Sequence, residues 1–359
     1  MSAAESLETL PVTVVIPVFN RADKLGRALA SVAAQRPRPP AEVIVVDDCS
    51  SDGSADVAAA AGVRVIRHQH NQGEAASDND GVAAATQPWV AFLDSDDAYL
   101  PHFLATLWEL REGHVAVAGK ALAVNETTGS LRIGPPPLGS RAEILDAPSD
   151  VLFPAVRIAP SAVIVRREAV VACGGFDTRL RRAVDLDFDL RLLEQGSVAI
   201  SPEVVALYYM HEGQSSSAIE ATVESAIEIV RSYADREWWS DIAFERWLAT
   251  LRWDAMRRRI RGEGFSTAVV RDVGWFMRAP VRLRALATML AFRIEVRRRT
   301  SRFSSDGGPS RAVLPRGPRG VAAILSLARR PTAQAVPGSP LQRPLLRLLS
   351  IEPVSGPRG

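Results

Sequence analysis

The sequence predicts an α/β fold, an open parallel sheet with helices on both faces, followed by a basic helical region and a tail. Three observations carry this. The first 120 residues alternate strand and helix signals, the strands are continuous apolar runs, and charge divides unevenly along the chain. Of 359 residues, 47% are hydrophobic, enough for a large core.

"TVVIPVF" (13–19) is a β-branched run of the kind buried on both faces of a parallel sheet. "ADKLGRALASVAAQ" (22–35) places Leu25, Leu29 and Val32 at helical spacing and stops at the Pro37–Pro40 cluster. "EVIVVDD" (42–48) is a second strand, and "SDGSADVAAAAG" (51–62) a short helix with a Ser/Asp start and a Gly stop. "VRVIRH" (63–68), "EAASDNDGVAAAT" (74–86) and "WVAFLD" (89–94) continue as strand, helix, strand. Further on, "SAVIVRR" (161–167) reads as a strand, "DLDFDLRLLEQG" (185–196) as a helix, and "VVALYYMHEGQSSS" (204–217) as a strand entering a polar loop. Residues 221–300 read as helical with Trp238, Trp239, Trp247, Trp253 and Trp275 as packing anchors, and residues from 301 onward as a disordered tail rich in Arg, Pro and Gly.

Alternation with short connections implies right-handed βαβ units, whose ligands bind beyond the carboxyl ends of the strands. Asp47 and Asp48 end the second strand and Asp94 ends the fourth, so two acidic groups share one rim. In "FLDSDDAYLP" (92–101), Asp94, Asp96 and Asp97 crowd four positions. Like charges repel, so they either fan out into water or surround a cation. Hard divalent cations take carboxylate oxygens and bridge them to substrate phosphates. A dehydrogenase or P-loop enzyme needs glycines after the first strand, and "PVFNRAD" has none. Two cysteines, Cys49 and Cys173, show no CxxC spacing, which argues against a disulfide framework or zinc site and for a reduced, cytosolic setting. "MSAAESLETL" does not read as a signal peptide, and no run of about 18 apolar residues reads as a membrane span.

The segments "VVIPVFNRADKLGRALASV", "EVIVVDDCSSDGS", "NQGEAASDNDGV", "FLDSDDAYLP" and "GGFDTRLRRAVDLDFDLRLLEQG", in that order over about residues 12–215, resemble the family 2 glycosyltransferases of GT-A fold. The resemblance implies an inverting transferase that moves a sugar from a nucleoside-diphosphate donor, a UDP-sugar foremost, to a hydroxyl acceptor such as a glycan or lipid-linked precursor. It implies that Pro17, Phe19, Asp48 and Asp94 bind the donor nucleotide, that Asp96 and His211 hold Mg²⁺ or Mn²⁺, and that Asp185 is the base. Counted back from Leu190-Arg191, the resemblance implies Asp185 as that base and Asp187 as a second acid, with a register two residues later as the competing choice. Val184 stands where the family usually has glutamate, and Asp78 where arginine is common. These departures keep open a catalytically weak sugar-nucleotide-binding module. A nucleotidyltransferase of related fold is the other alternative.

The expected division is a disordered N-terminus (1–10), a GT-A domain (11–220), a helical region (221–300) and the largely disordered tail (301–359). Residues 251–359 carry 22 arginines, no lysine and 6 acids, leaving the first 250 residues 21 basic and 35 acidic groups. Arginine as the chain's default cation explains part of this, since its lysines are Lys24 and Lys120 alone. "VRLRALATMLAFRIEVRRR" (281–299) mixes apolar and basic residues as a segment lying on an anionic membrane does. Nucleic acid is not an expected partner, for the region carries no recognisable binding motif.

Overall fold

The computed structural model describes residues 8–127, 131–133, 142–152, 158–211, 219–263 and 267–282. The segment 283–299 and the tail lie outside them.

β1 (Leu10–Val18) sits inside the sheet, and its unbroken apolar run follows from cover on both faces. Val12, Val14 and Ile16 pack with Leu25, Leu29 and Val32 of α1 (Ala22–Ala33) and with Phe103, Leu104 and Leu107 of α4 (Phe103–Glu109). Val15 joins the opposite core with Val82 of α3 (Glu74–Ala84), Val170 of α6 (Arg167–Ala172) and Phe188 of α7 (Val184–Leu193). α3 lies so close to the sheet that a Cβ on Gly81 would come within 2.2 Å of Val15 Cγ1.

β2 (Pro40–Asp47) and β4 (Trp89–Phe92) flank β1 in parallel, and β3 (Arg64–Arg67) pairs in parallel with β2. α1, α2 (Ser54–Ala60) and α3 make the crossovers. α2 is capped by Gly53 in the left-handed region (φ 86°) rather than by a serine or aspartate; Asp52 Oδ1 instead accepts from Ser54 N–H (3.1 Å) and Oγ–H (2.5 Å).

The parallel sheet expected from the alternation is only half of what forms. The order is β3-β2-β1-β4-β9-β6-β10-β5. β9 (Val163–Arg166) runs antiparallel to both β4 and β6 (Ala116–Asn125), and β10 (Val198–Met210) is parallel to β6. The two-residue β5 (Ala98–Tyr99) and the short β8 (Glu143–Leu145) pair antiparallel with β10, and β7 (Leu131–Ile133) with β6. Antiparallel neighbours need no helical crossover, so the alternation signal stops where the sheet changes direction.

α8 (Ile219–Arg231) and α9 (Asp241–Glu263) close over α7 and α5 (Pro148–Leu152), burying Leu152, Leu190, Val230, Trp247 and Leu248 together. Trp238, Trp239 and Trp275 pack at the edge of this cluster, and Trp253 packs on Phe276 of α10 (Thr267–Met277).

Candidate active site

The sequence-predicted residues converge on the rim where β1, β2 and β4 end. Val18 and Asp47 are register partners there. Pro17 is buried beneath the rim, and Phe19 stands on it 45% exposed. The glycine-free turn after β1 is held by side chains. Asn20 (φ 50°) donates its N–H to Ser50 Oγ (3.0 Å), Arg21 N–H goes to Ser54 Oγ (3.1 Å), and Ala22 N–H goes to Asp52 Oδ2 (2.9 Å). Asp47 accepts from Ser50 N–H (3.0 Å) and pairs with Arg67 Nε (3.1 Å). Asp48 is 3% exposed; its Oδ1 faces His68 Nδ1 (2.8 Å) and Gln72 N–H (2.8 Å), and its Oδ2 faces Gly73 N–H (2.8 Å). His68 Nε2 reaches Asp80 Oδ2 (2.9 Å).

The three crowded aspartates avoid one another by diverging. Asp97 N–H bonds to Asp94 O (2.9 Å), closing the turn, and the Asp97 carboxyl points inward. It accepts Tyr209 N–H (3.0 Å) and a hydrogen bond from Ser161, and burial pushes it up to about 7. Ser161 Oγ also accepts Asp94 N–H (3.1 Å). Asp96 stays at the rim, its Oδ2 2.8 Å from His211 Nε2 and 3.9 Å from Arg21 Nε. Arg27 of α1 buttresses the turn. It donates to Asp96 O and to Glu126 Oε1 (2.7 Å), and its guanidinium lies 3.5 Å from the Tyr209 ring centroid.

α3 delivers two more acids to this place. Glu74 is an exposed residue, yet the protein around its carboxyl raises it, with the charges of Asp96 and Asp185 adding to this. Desolvation in the cleft, then Glu74 and the neighbouring aspartates, raise Asp94 well above the ordinary carboxylate range. Burial, then Glu74, does the same to Asp78, whose Oδ1 has no hydrogen-bond partner among the described residues. An acid raised in the folded state binds its proton more tightly there than when unfolded. Its stability penalty is therefore absent below its unfolded value and grows as pH climbs above it. Asp78→Asn is expected to raise Tm by about 2–4 °C at about pH 8, the shift for ~1 kcal/mol in a domain this size, and to leave it unchanged at about pH 3. A melting curve at the higher pH that shows no gain overturns this reading.

The two candidate bases on α7 lie in different surroundings. Ala183 (φ 52°) caps the helix, and Asp185 in its first turn is half-buried and close enough to Glu74 to raise it. Asp187 is buried and committed: Arg191 donates through Nε (3.0 Å) and Nη2 (2.5 Å) to Oδ2, and Tyr233 O–H donates to Oδ1 (2.7 Å). The turn before α7 is tied to α3, with Phe176 N–H to Asn79 Oδ1 (2.8 Å) and Asn79 Nδ2–H to Phe176 O (2.8 Å).

Glu74, Ser161, Arg27 and His68 were not singled out from the sequence. Glu74 lies inside the quoted "NQGEAASDNDGV", but the others reveal their roles only through contacts 20 to 69 residues apart.

Among the described residues no three His, Cys, Asp or Glu side chains are grouped to hold a metal ion by themselves. The donor set at the rim nonetheless fits an ion shared with a ligand. Asp96 and His211 supply one hard oxygen and one imidazole at close range, in a cleft where carboxylates already raise one another. Mg²⁺ is commonly held by one or two carboxylates plus substrate phosphates.

Residues 13–158 match the family model described as Glycosyl transferase family 2. The chain is 32% identical over 247 residues to the succinoglycan biosynthesis protein ExoO of Rhizobium meliloti, covering 62% of this chain and 69% of that one. It is 37% identical over 198 residues to a pre-mycofactocin glycosyltransferase of Mycobacterium tuberculosis, covering 52% of this chain but only 40% of that longer protein. Among solved structures, S. aureus TarS 1-349 in complex with UDP-GlcNAc superposes with a TM-score of 0.55 at 20% identity, over 75% of this chain and 81% of that one. This last likeness is one of fold.

Proposed function

The chain belongs to glycosyltransferase family 2, and on that premise we propose that it is an inverting glycosyltransferase using a nucleoside-diphosphate-sugar donor and a hydroxyl acceptor. The observation that carries this is that Asp185 and Asp96 both lie close enough to Glu74 for their charges to raise its carboxyl. Pro17, Phe19, Asp48 and Asp94 are proposed to hold the nucleotide. The acceptor oxygen attacks the anomeric carbon while Asp185 takes its proton, and the bond to the diphosphate breaks with its electrons leaving on the phosphate oxygen. Asp96 and His211 would hold Mg²⁺ or Mn²⁺, which when bound neutralises the departing diphosphate. A base opposite the leaving group gives inversion.

The TarS complex carries UDP-GlcNAc and ExoO is named for succinoglycan biosynthesis, which supports a UDP-sugar donor and a glycan acceptor here; a lipid-linked acceptor is proposed from the family resemblance alone. The test is release of nucleoside diphosphate from a panel of sugar nucleotides with Mg²⁺ or Mn²⁺ and hydroxyl acceptors. Release of pyrophosphate instead identifies nucleotidyl transfer. Donor binding with no turnover across the panel identifies a binding module.

We further propose that residues 11–220 form the catalytic domain and that the helical region beyond them touches an anionic membrane at its cytoplasmic face. No helix among the described residues is long and apolar enough to cross a membrane. α10 buries Phe276 yet exposes Val270 (63%), Val273 (45%) and Met277 (67%) along one stripe, flanked by exposed Arg271 and Arg278. Such a stripe suits shallow burial among headgroups. Val273→Asp with Met277→Asp should reduce co-sedimentation with anionic vesicles; equal recovery of both proteins rejects the contact.

A further inference from the structure

Asp48 is not an open carboxylate waiting for a ligand. A carboxylate offers about four lone-pair positions. On Asp48 two are taken at Oδ1, by His68 Nδ1 and Gln72 N–H, and one at Oδ2, by Gly73 N–H, all at 2.8 Å. Among the described residues one acceptor position remains, on Oδ2.

His68 is what keeps the count at three from the strand side. Its ring is 7% exposed and strung between two acceptors, Asp48 at 2.8 Å and Asp80 at 2.9 Å, so it can neither flip nor withdraw without losing a bond to each. Asp80 belongs to α3, and Gly73, which Asp48 holds, is that helix's N-cap. The clamp thus joins the end of β2, the end of β3 and the start of α3.

We propose that His68 is a positioning residue that leaves Asp48 a single free acceptor, so that the donor pocket selects a base presenting one ring N–H, the imide of uracil or thymine, over guanine or cytosine. This rests on the reading that Asp48 faces the base. Guanine presents two adjacent donors, a ring N–H and an exocyclic N–H, and Asp48 can satisfy only one of them. Cytosine turns a ring lone pair toward the carboxylate. Each mismatch is expected to weaken binding by about tenfold or more, the usual effect of stranding one polar group.

Titration calorimetry with UDP, GDP and CDP on the full chain, with Mg²⁺ present, tests it. Wild type is expected to prefer UDP over GDP by about tenfold or more. His68→Phe keeps a ring but donates nothing, so UDP binding should weaken and the UDP/GDP ratio should collapse toward one. His68→Asn can place an amide N–H where Nδ1 sits and should retain the ratio. Should His68→Phe fail to fold, Asp80→Asn, whose carboxylate is 52% exposed, serves instead: it should raise donor KM more than it lowers kcat. Tight binding by wild type without preference for UDP, or a folded His68→Phe that keeps the ratio, overturns the clamp. A wild type that binds no nucleoside diphosphate overturns the donor reading itself.

Discussion

Replacing Asp185 by asparagine is expected to lower turnover by about 10²–10⁴-fold, the span a positioned general base contributes. The amide keeps the shape and cannot take a proton. Among the described residues no hydrogen bond from the Asp185 side chain organises the start of α7, so Tm and UDP affinity should stay near wild type. Asp187→Asn should behave in the opposite way. It weakens the acceptor shared by Arg191 and Tyr233 and should lower Tm, with any loss of rate following the loss of folded protein. Parallel rate, melting and UDP-binding measurements separate the two. If Asp187→Asn abolishes rate at unchanged Tm while Asp185→Asn stays active, the base has been misassigned by two residues.

The second large effect is at Asp96. Alanine there should bring turnover to background, because it removes the oxygen paired with His211 that is proposed to hold the metal on the diphosphate. The turn itself should survive, since Arg27 holds the backbone carbonyl of residue 96 and not its side chain. Removing one of several mutually repelling carboxylates costs the fold little. Asp97→Ala provides the contrast: it strands Tyr209 N–H in the interior and should cost about 1–3 kcal/mol of stability. Activity of wild type that is undiminished in excess chelator would falsify the metal role of Asp96.

Much of this was legible beforehand, and the boundary of what was legible has a physical cause. The strand expected over 42–48 forms over Pro40–Asp47, and the helix expected over 74–86 forms over Glu74–Ala84, because buried runs and amphipathic spacing are local signals. β5 is two residues long and β9 reverses direction, and neither fact leaves a periodic trace. At the site, the spacing of Asp94, Asp96 and Asp97 marked the acidic turn. Which carboxyl turns inward depended on Ser161 and Tyr209, supplied from 64 and 112 residues away. The register favoured Asp185 over Asp187 but could not show what Asp187 holds, because Tyr233 arrives from the turn after α8.

The reciprocal pair between Asn79 and Phe176 has an outcome in time as well as in space. Two hydrogen bonds, each 2.8 Å, run between the helix that brings Glu74 to the rim and the turn that leads to the proposed base. The amide of Phe176 lies outside any helix or strand, where amides ordinarily trade their hydrogens with water quickly. Here its exchange should be slow and should keep step with amides of α3. The donor side and the acceptor side of the cleft would then open as one cooperative unit, and loosening either would be visible in deuterium uptake at the other.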